Sequence, residues 1–117
     1  MRLTFDWDSV GLEDNLVQDG LAKLSKDFPN YDVYYRISAS RTGIHALISP
    51  KNVSNPSPVE IDDEDALEYR REMVEFGLED AWRVKGDTAR LGRGLPTAQL
   101  WEYKNGVKAG EWIKYVE

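Results

Sequence analysis

Two aspartates near the N-terminus, Asp6 and Asp8, have the spacing that most clearly suggests chemistry. They lie in the run Leu3–Asp8, in which apolar and polar residues alternate. In a β-strand, residues two positions apart project from the same face, with Cα atoms about 7 Å apart. Paired carboxylates of this kind can hold a divalent cation. Alternatively, Asp8 caps the following helix and Asp6 lies on a solvated face.

A second polar stretch, Ser38 to His45, combines residue types that bind phosphate. Ser38, Ser40 and Arg41 fall in a short turn, and His45 lies on the strand that follows it. Hydroxyl and guanidinium groups around a tight turn can donate hydrogen bonds to phosphate oxygens, and a histidine adds another donor. The alternative is a polar hairpin turn with one structural histidine.

A third pair, Asp87 and Arg90, follows the alternating residues Trp82–Lys85. The alternation predicts a short strand that Gly86 and Asp87 end, followed by an irregular basic loop. An aspartate at a strand end can join a metal site, and Arg90 can meet a phosphate. A salt bridge between the two residues is the alternative, since they are three positions apart.

The elements that would position these residues form an α+β pattern. The predicted order is β-α-β-β-α-β plus a C-terminal β-hairpin, giving a mostly antiparallel sheet with two helices on one face. The Asn105-Gly106 pair is the strongest hairpin-turn signal in the chain. Periodicity and turn residues predict helices over Leu12–Asp27 and from Asp62 or Asp63 to Phe76, and strands over Tyr31–Ser38, Gly43–Ser49, Gln99–Tyr103 and Glu111–Val116.

Composition restricts the possible functions. A chain of 117 residues predicts a single domain, spanning residues 1–117. The net charge of −6 argues against a general nucleic-acid coat protein, which needs clustered basic residues. With no cysteine and one histidine, a metal site would use carboxylates, which favours Mg²⁺ or Mn²⁺. No long apolar run or signal-peptide pattern is present, so we expect a cytoplasmic, intracellular protein without a membrane partner.

In order along the chain, the three polar features match the signatures of a known family. The signatures are hydrophobic-hydrophobic-Asp-hydrophobic-Asp, then small-x-His, then a hydrophobic strand ending in Asp. They correspond here to Thr4–Asp8, to Gly43-Ile44-His45 and to Val84-Lys85-Gly86-Asp87. On these motifs the chain resembles the catalytic core of the archaeo-eukaryotic primase superfamily, the primase-polymerases of archaea, plasmids and viruses, in a reduced form.

The resemblance implies a metal-dependent nucleotidyltransferase, a DNA primase or polymerase, acting in replication of a mobile element, a virus or a host. It implies that Asp6, Asp8 and Asp87 are catalytic and hold two Mg²⁺ or Mn²⁺ ions. One ion would activate a 3′-hydroxyl and the other would neutralise the triphosphate. The implied ligands are a nucleoside triphosphate and a single-stranded nucleic-acid template. The expected nucleotide-binding residues are Ser38, Ser40, Arg41, His45 and, by its charge, Arg90.

Two other functions stay open at this stage. A non-catalytic module of the same fold could bind nucleic acid or recruit a replication protein through its acidic helices and its C-terminal aromatic residues. These aromatic residues are Trp101, Tyr103, Trp112 and Tyr115. A metal-dependent nuclease using the same three aspartates is less favoured, because no lysine or glutamate motif accompanies them.

Overall fold

A four-stranded antiparallel sheet organises the chain, and the computed structural model describes all 117 residues. The α+β class with a mostly antiparallel sheet is as predicted. In chain order the elements are β1 (Thr4–Asp8), α1 (Asn15–Asp27), β2 (Asp32–Ile37), β3 (Gly43–Ser49), α2 (Asp63–Phe76), α3 (Ala81–Gly92), β4 (Tyr103–Lys104), β5 (Val107–Lys108) and β6 (Ile113–Lys114). None of the helices is long and apolar enough to cross a lipid bilayer.

The strand order is β1-β3-β2-β6, with β3 buried along its whole length between β1 and β2. Strands β1 and β2 are both antiparallel to β3 and are therefore parallel to each other, connected by α1. This is a split βαβ unit. The predicted hairpin of β2 and β3 is confirmed, and β3 has the predicted bounds. Because β3 is central, a residue at its start is enclosed by strands on both sides.

One face of the sheet and the inward sides of α1 and α2 form the hydrophobic core. The alternation in β1 places Leu3, Phe5 and Trp7 in this core, each 0% exposed. The two helices contribute Val17, Leu21, Leu24, Ala66 and Met73 to the same cluster. Since successive side chains in a strand point to opposite faces, Asp6 and Asp8 project away from the helices.

The predicted helices end as expected, but α1 begins three residues later than the periodicity indicated. Neither Asp8 nor Ser9 caps it; the N-cap is Asp14. The Asp14 carboxylate accepts from the Gly11 N–H at 2.9 Å, which holds a tight turn ahead of the helix. Helix α2 is capped at its start by the Asp62 side chain and ends at Gly77 in the left-handed conformation, as predicted.

The predicted strand over Trp82–Lys85 is wrong, because these residues belong to α3. The side chain of Asp80 accepts from the Trp82 N–H and begins this third helix. Val84 and Asp87, three positions apart, are its buried residues, which is helical spacing. Asp87 therefore lies in the middle of a helix and does not end a strand, and the predicted basic loop is mostly helical.

The C-terminal residues pair differently from the prediction. Asn105 and Gly106 do form the hairpin turn, with φ of 53° and 79°, but it joins only β4 to β5. The second predicted strand, Glu111–Val116, instead supplies β6, which pairs with β2. An amide on each side of β6 also reaches the sheet: the Gly110 N–H donates to Ile37 and the Tyr115 N–H to Val33. The pairing covers the free edge of β2.

Candidate functional site

Five of the residues selected from the sequence line one small groove on the sheet face away from α1 and α2. They are Asp6, Asp8, Ser38, Ser40 and His45. The groove has a volume of about 70 Å³ and is also lined by Ala39, Trp101 and Lys104. A volume of this size holds about two waters, or a bare ion with one phosphate group. The structure thus brings the N-terminal aspartates and the Ser38-to-His45 stretch together.

Pairing between β1 and β3 sets the geometry of the groove. Asp6 lies directly opposite His45, and Asp8 lies opposite Gly43. A Cβ atom added to Gly43 would lie 2.6 Å from the main-chain carbonyl oxygen of Trp7. Since real Cβ atoms do not approach that closely, a side chain at position 43 would displace β1 and its aspartates. This gives a physical reason for a small residue two positions before the histidine.

The two aspartates form an acidic pair in the lining of the groove. Asp8 is exposed, whereas the Asp6 side chain is only 25% exposed. Burial, and next the negative charge of Asp8, raise the pKa of Asp6 above its usual range. A cation between the carboxylates would relieve both effects. The charges of Arg83 and Lys104 act in the opposite direction but are weaker.

The donor set of the groove fits a hard divalent cation. Mg²⁺ commonly takes one or two protein carboxylates and completes its shell with water and substrate phosphate. Asp6 and Asp8 supply those carboxylates. No group of three or more His, Cys, Asp or Glu side chains has the arrangement of a complete metal site. The residues therefore fit one ion shared with a phosphate-bearing ligand.

His45 is held as a neutral hydrogen-bond donor that points at the aspartates. The Arg36 Nε–H donates to His45 Nδ1 at 3.1 Å, and both side chains are buried. Since arginine has no acceptor, Nδ1 must be unprotonated and Nε2 carries the proton. Burial, and then the charges of Arg36 and Arg83, lower the pKa of His45 to about 4. Because Nε2 carries the proton, it can donate a hydrogen bond but cannot bind a metal ion in this tautomer; it lies 3.7 Å from Asp6 Oδ1, beyond hydrogen-bond distance.

The turn between β2 and β3 carries a short series of hydroxyl groups. Ser38 Oγ lies 3.0 Å from Ser40 Oγ, which lies 3.0 Å from Thr42 Oγ1. Hydroxyls that hydrogen-bond one another can reorient to donate to an added phosphate oxygen. Arg41 does not line the groove; its guanidinium donates to the Lys108 carbonyl at 3.0 Å and ties the turn to the β4–β5 hairpin.

Asp87 and Arg90, the remaining predicted site residues, are not brought into the groove. The Asp87 carboxylate accepts from Arg70 Nη1 at 2.8 Å, from Arg90 Nη1 at 2.8 Å and from the Ala98 N–H at 3.1 Å. Burial acts to raise the pKa of Asp87, but the bond to Arg70 and the surrounding positive groups outweigh it, so the pKa is lowered. Both carboxylate oxygens therefore accept hydrogen bonds from the protein itself.

Asp87 belongs to a buried ionic cluster that was not foreseen from the sequence. Arg70 and Glu79 have side chains with 0% exposure, and Glu79 Oε2 lies 3.5 Å from Arg70 Nε and 3.3 Å from Arg83 Nη1. Burial raises the pKa of Glu79 to about 7 against the pull of the two arginines. Arg70 was the available signal, since it occupies a core-facing position in the apolar stripe of α2.

The cluster also contacts β1 on the face that carries Asp6. Arg83 donates to the Thr4 hydroxyl at 3.1 Å and to the Gln99 carbonyl at 3.2 Å. The Thr4 hydroxyl in turn donates to the Ala98 carbonyl at 2.7 Å. These bonds fix the strand that presents Asp6 and also fix the segment that leads to Trp101.

No protein-family model, curated protein or solved structure matches this chain. The functional interpretation therefore depends on the groove itself and on the motifs that supply its residues.

Proposed function

We propose that the groove binds a nucleoside triphosphate with a divalent cation, and that the chain is a nucleotidyltransferase-like domain of the primase-polymerase kind. A single observation carries the proposal. Asp6 and Asp8, Ser38 and Ser40, and His45 come from separate elements and line one groove. An acidic pair beside neutral donors suits a cation with its phosphate ligand better than either component alone.

Each group has a role that follows from its charge. Asp6 and Asp8 would hold Mg²⁺ or Mn²⁺, and the bound ion would neutralise the triphosphate and polarise its phosphoryl oxygens. His45 donates a hydrogen bond from its Nε2–H to a phosphate oxygen and stays neutral, since its pKa is about 4. Ser38 and Ser40 add hydroxyl donors along the turn.

The position of Asp87 favours a second candidate, a nucleotide-binding or nucleic-acid-binding module that does not polymerise. Two-metal phosphoryl transfer uses two ions about 3.5–4 Å apart. Two carboxylates in the groove fit one ion, while Asp87 is bonded to Arg70 and Arg90. A replication protein could supply what this chain lacks, and a single-stranded template would then be held by both.

A primer-extension assay separates the two candidates. Purified protein is mixed with Mn²⁺, labelled deoxynucleotides and a primed single-stranded template, and binding of the nucleotide is measured in parallel by calorimetry. Incorporation that disappears in Asp6→Asn supports the transferase, whereas binding without incorporation supports the non-catalytic module. Asp19→Asn is the matched control, because Asp19 is an exposed aspartate on α1. Absence of both nucleotide binding and incorporation would contradict the transferase and the nucleotide-binding module.

A further inference from the structure

The groove is too small for a whole nucleotide, so the nucleoside must lie outside it. Its volume of about 70 Å³ suits an ion and a phosphate group. A base and a sugar attached to that phosphate would rest on whatever borders the groove. Two bordering residues, Trp101 and Lys104, have no part in the motifs, and both belong to the C-terminal segment.

Trp101 has an unusually free aromatic surface for a residue beside such a site. Its side chain is 68% exposed, and neither a cation nor an aromatic ring of the protein stacks on it. A nucleobase that stacks on an indole gains about 1–3 kcal/mol.

The segment that carries Trp101 is attached to the turn of the groove at several points. The Arg41 guanidinium donates to the Lys108 carbonyl at 3.0 Å, and the Gly110 N–H donates to the Ile37 carbonyl at 2.9 Å. Within the segment, the Ala109 N–H donates to the Glu102 carbonyl at 2.7 Å. A surface fixed to the groove in this way is preorganised for a ligand that spans both.

We propose that Trp101 is the base-stacking platform of the nucleotide site and that Lys104 contacts the phosphates from the same side. This inference rests on the proposed function. Stacking accepts any base, because every base has a π-face. Stacking on Trp101 therefore favours a nucleotide over inorganic phosphate and adds little discrimination among the four bases.

Calorimetric titration with two ligands tests this platform. Mn²⁺–deoxynucleoside triphosphate and Mn²⁺–tripolyphosphate are each titrated into wild type, Trp101→Ala and Trp101→Phe. We expect Trp101→Ala to weaken nucleotide binding about 5- to 150-fold, with tripolyphosphate binding unchanged and Trp101→Phe restoring most of the affinity. Trp82→Ala is the matched control, since Trp82 is 78% exposed on α3 and does not line the groove.

The outcomes separate this inference from the function on which it rests. Wild type that binds tripolyphosphate as tightly as nucleotide would overturn the platform while retaining the phosphate site. Trp101→Ala that binds nucleotide like wild type, or that loses both ligands equally, would also overturn it. Wild type that binds neither ligand would overturn the proposed function and the platform together. Thermal melts of each variant confirm that the protein compared is folded.

Discussion

Replacing Asp87 with asparagine distinguishes a structural anchor from a metal ligand. The substitution keeps the shape of the side chain but removes the charge that faces Arg70, whose side chain is 0% exposed. Breaking a buried ion pair by removing one partner costs about 3–5 kcal/mol. The asparagine amide can still accept one hydrogen bond, from Ala98 or Arg70, so we expect the loss of folding free energy to be close to the lower limit of about 3 kcal/mol.

The expected loss is large enough to measure by thermal and urea unfolding. For a chain of 117 residues, an unfolding entropy of about 2.1 cal/mol/K per residue makes 1 kcal/mol equivalent to roughly 4 °C. Asp87→Asn should therefore lower the melting temperature by about 12 °C or more. Its folded fraction should bind Mn²⁺ as wild type does, because Asp87 does not line the groove.

Asp8→Asn is the matched control and should behave in the opposite way. Asp8 is exposed, so the free energy of unfolding of Asp8→Asn should stay within about 0.5 kcal/mol of the wild-type value, while Mn²⁺ binding is lost. The reasoning is refuted if Asp87→Asn unfolds like wild type and no longer binds Mn²⁺. That pair of results would make Asp87 a metal ligand, as the family resemblance implies.

Three further predictions concern His45 and β3, the strand that carries it. The pKa of His45 falls from 6.5 in the unfolded chain to about 4 in the folded protein, so the unfolded state binds a proton more readily. Lowering the pH from 7 to 4 should therefore destabilise the wild-type protein by up to about 3 kcal/mol relative to His45→Asn, as measured by urea titration. A pH-independent difference would contradict the buried neutral histidine. Arg36→Met removes the donor to Nδ1 and a facing positive charge, so the histidine pKa should rise in an NMR titration of this single histidine, and an unchanged value would rule out the contact. Gly43→Ala should cost about 1–3 kcal/mol by overpacking against Trp7, whereas Gly92→Ala, with open space around it, should not destabilise; equal stabilities would contradict the close approach of β1.

The parts of the fold that were predictable from the sequence depend on local patterns. The alternation of β1, the hairpin of β2 and β3 and the capping of α2 are set by neighbours within a few residues. The four-residue alternation of Trp82–Lys85 predicted a strand where the chain forms α3, whose first turn is capped by the Asp80 side chain. The buried side of α3 depends on the ion pair between Asp87 and Arg70, which lie 17 residues apart in the chain. Periodicity within one segment carries no information about such a partner.

The candidate site likewise has a part that local patterns predict and a part that they do not. Asp6 and His45 share a face because β1 pairs with β3 and places the two residues directly opposite each other; the family resemblance implied that they belong to one site. The position of Trp101 at the groove was not predictable, since it depends on where residues 95–112 cross the sheet. Hydrogen bonds to distant residues set that course, including those from Thr4 to Ala98 and from Gly110 to Ile37.

Calorimetric titration of Mn²⁺–deoxynucleoside triphosphate into the wild-type protein measures whether the groove binds a metal–nucleotide complex. Asp6→Asn is titrated beside it, with Asp19→Asn as the control for the change in charge. We expect saturable binding by wild type and Asp19→Asn that requires Mn²⁺ and is lost in Asp6→Asn. Binding that is absent from wild type, or that is equal in Asp6→Asn, would contradict the assignment of the groove as a metal–nucleotide site.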